Sequence, residues 1–222
     1  MDMFFNALVT LVAAFAGAFV AFRFEKSQRD FERANSEVAA GNRALFILVR
    51  IWNKLRQYQK EIVDDFRGKP DNWLNLPAGT SLRNESLVFS MNELTFVLLK
   101  DPTAFQLLFL EEDRFHDIAQ LIDRRNELVQ KDVFPRLSQA GIKLNEGRPG
   151  DEIEKYLTVG VVKQLTVLTT AIIRNVDEDV ISCRVAFDKL RVALKVAHPK
   201  REFIEFPKEQ KAIAENNEVK KA

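Results

Sequence analysis

Cysteine, histidine, glycine and proline are all scarce in this chain. Its 222 residues include 1 Cys, 2 His, 8 Gly and 7 Pro. A lone Cys excludes a disulfide framework, and one Cys with two His cannot complete a zinc finger. So little Gly and Pro, beside 46% hydrophobic residues, excludes a collagen-like or disordered chain. Excess charge is missing too: 33 Lys plus Arg face 32 Asp plus Glu, a formal net charge of +1. That leaves no basic field for nucleic acid. Neither phosphate-cradling pattern, GxGxxG nor GxxxxGK[ST], is present, and there is no GxSxG elbow or HExxH pair. The chain is therefore expected to have no catalytic activity and to need no cofactor.

One long hydrophobic run stands out. Residues 3–22 read MFFNALVTLVAAFAGAFVAF, without a charge and with Asn6 and Thr10 as the polar exceptions. Twenty residues at about 1.5 Å each span about 30 Å, the thickness of a bilayer's hydrocarbon core. A soluble core helix rarely stays apolar on every face for that length. A cleaved secretory signal would need a basic start. Here Asp2 is the only charged side chain before the run, although Ala16-Gly17-Ala18 offers the small residues of a cleavage site. The run is read as a retained single-pass anchor, residues 1–23, in contact with membrane lipid. Arg23, Lys26, Arg29 and Arg33 follow it closely. Lys and Arg stay on the cytoplasmic side, which places the short N-terminus outside and the rest inside an inner-membrane boundary. Glu25, Asp30 and Glu32 break up the basic cluster, so it is not read as a lipid-headgroup site.

The anchor has two unlike faces. Phe5, Leu8, Val12, Phe15, Phe19 and Phe22 form a bulky stripe, and Asn6, Thr10, Ala13, Gly17 and Ala21 a small and polar one. Small residues let helices approach closely in lipid, and Asn or Thr can hydrogen-bond across the contact. The second stripe is the candidate helix-association face.

Beyond the anchor the pattern is helical throughout. Phe31, Ala34, Val38, Gly41, Leu45, Leu48, Trp52, Leu55, Ile62 and Phe66 recur at spacings of 3 and 4, with Gln59 filling one slot. One helix is expected from the anchor to Phe66, stopped by Gly68-Lys69-Pro70. Gly41 on its seam weakens the helix unless something packs closely there. Trp73, Leu74 and Leu76 should dock the following loop. Residues 87–91 read equally as extended or helical. Asn92 is a plausible cap for a helix over 93–100, and Asp101-Pro102 is the clearest helix start in the chain. Pro135 should kink or fray the end of that helix. The last long helix is expected from Asp151 to the residues before Pro199, with a stripe including Val161, Leu165, Leu168, Ile172, Val176, Val180, Cys183 and Phe187. Residues 202–206 should dock as a short extended segment, and 207–222 form a charged, disordered tail. The expected fold is all-α, an antiparallel three- to four-helix bundle over 24–206 that continues directly from the transmembrane helix.

Candidate sites are few. Glu111, Glu112, Asp113 and His116 share helix faces, but the second acid-x-x-His of a diiron bundle is missing, so no metal is expected. Cys183 lies in an apolar stripe and reads as structural. Glu112 and Asn126 fall in phase with Phe105, Leu108, Phe115 and Val129, and are read as buried polar residues that fix register. Arg125 sits beside Asn126, and Arg174 borders the final stripe; the alternative is that these residues line a small pocket. The functional expectation is a membrane-anchored interaction or scaffolding module that self-associates or binds another protein. The alternative is an oligomerising effector that permeabilises the bilayer through its anchor.

Overall fold

A single α-helix, α1, carries the chain from Asp2 to Tyr58, so the opening run and the first bundle helix are one rod. The computed structural model describes residues 2–79, 81–82, 87–142 and 149–207, and gives the backbone alone for 2–5, 7–10 and 12. The expected tail lies outside the described residues beyond Pro207. The other helices are α2 (Asn72–Asn75), α3 (Thr95–Lys100), α4 (Pro102–Leu128), α5 (Phe134–Gln139), α6 (Gly150–Glu154) and α7 (Val159–Ala197), and no strand occurs among the described residues. The protein is all-α.

Two wider, π-type turns extend the long helices: Gln59–Val63 after α1, and Val129–Val133 after α4. The second precedes Pro135, which has no N–H for the preceding turn and whose ring crowds it. The predicted kink thus takes the form of a π-turn leading into α5. That helix closes with Ile142 N–H donating to Leu137 O and Gly141 N–H to Ser138 O, with Gly141 at φ 71°. This is the Schellman arrangement, with Ile142 and Leu137 both buried.

Three long helices make the bundle. Gly41 of α1 meets Leu194 of α7, and Gln59 meets Asp177. Glu111 of α4 meets Cys183, and Arg125 meets Thr169. Hence α7 runs antiparallel to both neighbours, while α1 and α4 run in the same direction. The expected all-antiparallel order gives way because the chain has returned along the bundle by the time α4 begins: the Trp73 carbonyl meets Arg125, Phe89 reaches Glu112, and Glu93 reaches Arg43.

Several boundaries move for identifiable reasons. The last long helix starts at Val159 and not at Asp151, because Thr158 is extended and its hydroxyl accepts from Val161 N–H. The short α6 precedes it, its first N–H donating to the Asp71 carboxylate at 3.3 Å. The helix expected over 93–100 begins at Thr95 and has no side-chain cap; Asn92 instead offers its carbonyl to the Thr95 hydroxyl. Asp101 does cap α4, accepting from Ala104 N–H at 3.0 Å. Residues 87–90 are irregular.

The core divides in two. The larger cluster joins α1, α4 and α7 from Ala40 to Val63 and includes Leu108, Phe115, Phe187 and Leu194. A smaller distal cluster holds Trp73, Val129, Val133, Leu137, Ile142, Ile153, Leu157, Val161 and Leu165. Irregular residues 202–206 dock as a strap on α1 and α7. Phe203 is buried, and Phe206 stacks edge-on to Trp52 and Phe187 beneath the Arg184 guanidinium.

Candidate functional site

Among the described residues, no side chain in the first half of α1 is buried. Described side chains are exposed as far as Arg33, and the core begins only near Ala40. Phe15 is 70% exposed, Phe19 60%, Phe22 67% and Phe24 72%. On the other face Ala13, Gly17 and Ala21 are exposed, and beyond the local helix backbone no described atom lies within 4 Å of a Cβ built on Gly17. Asn6 is exposed, and the Thr10 side chain is outside the described set. Among the described residues no helix is long and apolar enough to cross a membrane. Nine positions of the opening stretch, 2–5, 7–10 and 12, have no described side chain.

Within the bundle the buried polar residues lie one position before those expected. Glu112 and Asn126 are half-buried, whereas Glu111 and Arg125 are each 1% exposed. Positions 111, 115, 118, 122, 125 and 129 form an equally good 3–4 series, and this phase faces α7. Glu112 acts on another neighbour. Its carboxylate accepts from Phe89 N–H at 2.8 Å and pins the irregular segment to α4.

Glu111 accepts from the Ser182 hydroxyl at 2.8 Å, the Cys183 thiol at 3.2 Å and Arg114 at 3.0 Å. Asp179, also buried, is 3.9 Å from the Arg114 guanidinium. Burial, with Glu111 nearby, pushes its pKa up to about 6. Burial and the same carboxylate push the Cys183 thiol far above its usual range, so the sulfur stays a protonated donor. Asp113 is exposed, and His116 Nδ1 bonds the Glu112 carbonyl at 2.8 Å, which places a proton on Nδ1. The acidic and histidine side chains of α4 therefore diverge. His198 lies elsewhere, edge-on to Phe96 and 3.1 Å from Glu37. Among the described residues no group of three or more His, Cys, Asp or Glu could hold a metal ion.

Arg125 lies where the two cores meet. Its Nε donates to Thr169 Oγ1 at 2.9 Å and its Nη2 to the Trp73 carbonyl at 3.0 Å, while Nη1 is buried without a partner. Burial lowers its pKa to about 10, and burial raises the nearby Tyr58 hydroxyl to about 12. Arg174 is exposed and bonds the adjacent Asn175.

A groove of about 630 Å³ opens between the end of α4 and the start of α7. Leu128, Val161 and Leu168 form its floor, and Arg124, Arg136 and Lys163 stand on its rim with Asp132. No sequence signal marked it, because its two walls are about 100 Å apart along an extended chain and meet only through the bundle's topology. Comparison with family models, with curated proteins and with solved structures finds no match.

Proposed function

We propose that the chain is a membrane-tethered interaction module: residues 3–22 lie in lipid, and the bundle is held at the cytoplasmic face as a docking surface without catalysis of its own. The observation that carries this reading is the bare first half of α1. Each Phe left in water forfeits about 2 kcal/mol of burial, and contiguous apolar surface of this kind marks a partner or a membrane. The described side chains include no covering element, and the sequence of 3–22 is uncharged from end to end. Positive flanking charge supports the cytoplasmic placement.

Self-association is part of the proposal. Helices anchored in one membrane can pair only in parallel, and the face of Asn6, Thr10, Ala13, Gly17 and Ala21 is the one that admits close approach. The same small face also favours the second reading, an effector whose gathered anchors breach the bilayer. Two experiments test these ideas. Washing membranes at high pH should leave the chain in the pellet, and a reporter fused after Pro207 should be cytoplasmic; release of the intact chain would sink the tether. Ala13→Cys, Gly17→Cys and Ala21→Cys should crosslink where Phe15→Cys and Phe19→Cys do not. Buried Cys183 adds no background. Loss of membrane potential on expression, abolished by Gly17→Leu, would favour the effector.

A further inference from the structure

We propose that the groove between the end of α4 and the start of α7 is the docking site for a short amphipathic helix of a partner protein, apolar on one face and lined with carboxylates on its flanks. The inference deepens the interaction-module reading and rests on it for the partner's access to the bundle.

One wall is a row. Arg124, Leu128, Asp132 and Arg136 recur every four residues through the π-turn and into α5. The facing wall comes from the first turns of α7, where Gly160 contributes no side chain and Val167 stands 59% exposed. The trough is thus about 18 Å long, enough for three turns of a guest helix with apolar anchors at i, i+3 or i+4, and i+7. A smaller adjoining hollow shares Arg124, Leu128 and Leu168 and adds Glu127 and Lys131.

Charge selects the guest. Lys131 pairs with Glu127, and Arg136 lies 3.8 Å from Asp132, so these four cancel. Arg124 and Lys163 stand on opposite walls, and Arg124 is one helical turn from Glu127, whose carboxyl it helps Lys131 to hold low. The two hollows together carry four cations, Arg124, Lys131, Arg136 and Lys163, against two carboxylates, Glu127 and Asp132, and that excess across an apolar floor matches carboxylates flanking an apolar stripe. The α7 terminus is not the anion site, since the Thr158 hydroxyl already occupies Val161 N–H. Lipid headgroups are the less suitable guest. Leu194 packs level with Gly41, and Val161 lies about 50 Å further along α7, away from the anchor end of α1.

The test uses the full chain in detergent micelles and two fluorescent helical peptides, one with Leu on one face and Glu on its flanks, the other with Lys replacing Glu. Anisotropy should show the Glu peptide binding, more weakly at high salt, and the Lys peptide binding at least about 10-fold less tightly. Arg124→Glu with Lys163→Glu should weaken the Glu peptide by about 10-fold, as should Val167→Asp, while Lys189→Glu on another face of α7 leaves it unchanged. Thermal midpoints of these exposed substitutions check folding. Equal binding of the two peptides, no saturable binding of either, or indifference to the double charge reversal overturns the proposal. So does capture of anionic vesicles or of RNA through these residues in place of the peptide. High-pH extraction reads the tether separately: a chain that washes off the membrane yet binds the Glu peptide sinks the tether alone, and one that stays but ignores the peptide sinks the groove alone.

Discussion

Arg125 is a buried charge and also a joint between the two cores. It keeps its charge at neutral pH although burial has lowered its pKa to about 10. Two of its donors are used and one, Nη1, is not. Arg125→Ala removes the packing and strands the Trp73 carbonyl and the Thr169 hydroxyl. Urea unfolding should report a loss of about 3 kcal/mol. Asp179 gives a pH signature. Its folded pKa, raised to about 6, lies above its unfolded value, so its ionisation opposes folding and stability should rise as pH falls from 7.5 towards 5. Asp179→Asn should add about 2 kcal/mol at pH 7.5 and flatten that rise; an unchanged pH profile would refute the assignment. Asp177 does not interfere there. Arg67 and Gln59 hold its carboxyl below the usual range, so its contribution is present above the ordinary carboxylate pKa and fades only in stronger acid.

At the scale of elements, Gly41 marks a close approach of α1 and α7. A Cβ there would lie 2.6 Å from Leu194 Cδ2. Gly41→Val should cost about 2 kcal/mol, and the double variant with Leu194→Ala should cost less than the two singles together by at least about 1 kcal/mol, read from a denaturation cycle. Gly on a helical seam already announced this contact in the sequence, because only a close neighbour makes its helix cost worthwhile. Local signals of that kind were legible: the Asp101-Pro102 start, the punctuation at Gly68, the docked Trp73 and the strap around Phe206. The phase of α4 was not. Glu111 and Glu112 both satisfy a 3–4 spacing, and only the position of α7 decides which turns inward. Thr158 was likewise invisible as a helix start, since the acids at Asp151, Glu152 and Glu154 suit either the short α6 or the long α7.

The whole molecule carries its two tryptophans in different cores, Trp73 in the distal cluster and Trp52 against the main one. The distal cluster is smaller and takes no residue from α1, so it should open first. Single-tryptophan variants, Trp52→Phe and Trp73→Phe, should unfold at different denaturant concentrations, the Trp73 signal changing earlier; coincident curves would make the molecule one cooperative unit. The parallel run of α1 and α4 was hidden from the sequence for a related reason: nothing local shows that Trp73, Phe89 and Glu93 lie successively further back along the bundle. The unbroken course of α1 has a mechanical consequence. From Asp2 to Tyr58 there is no proline and no turn to act as a swivel. A twist imposed on Gly17 is therefore delivered as torque at Gly41 and Leu48, and a push of about 1.5 Å along the axis arrives at Leu194 as a slip of one whole residue step. The bundle and whatever grips the far end of its leading helix form a single lever.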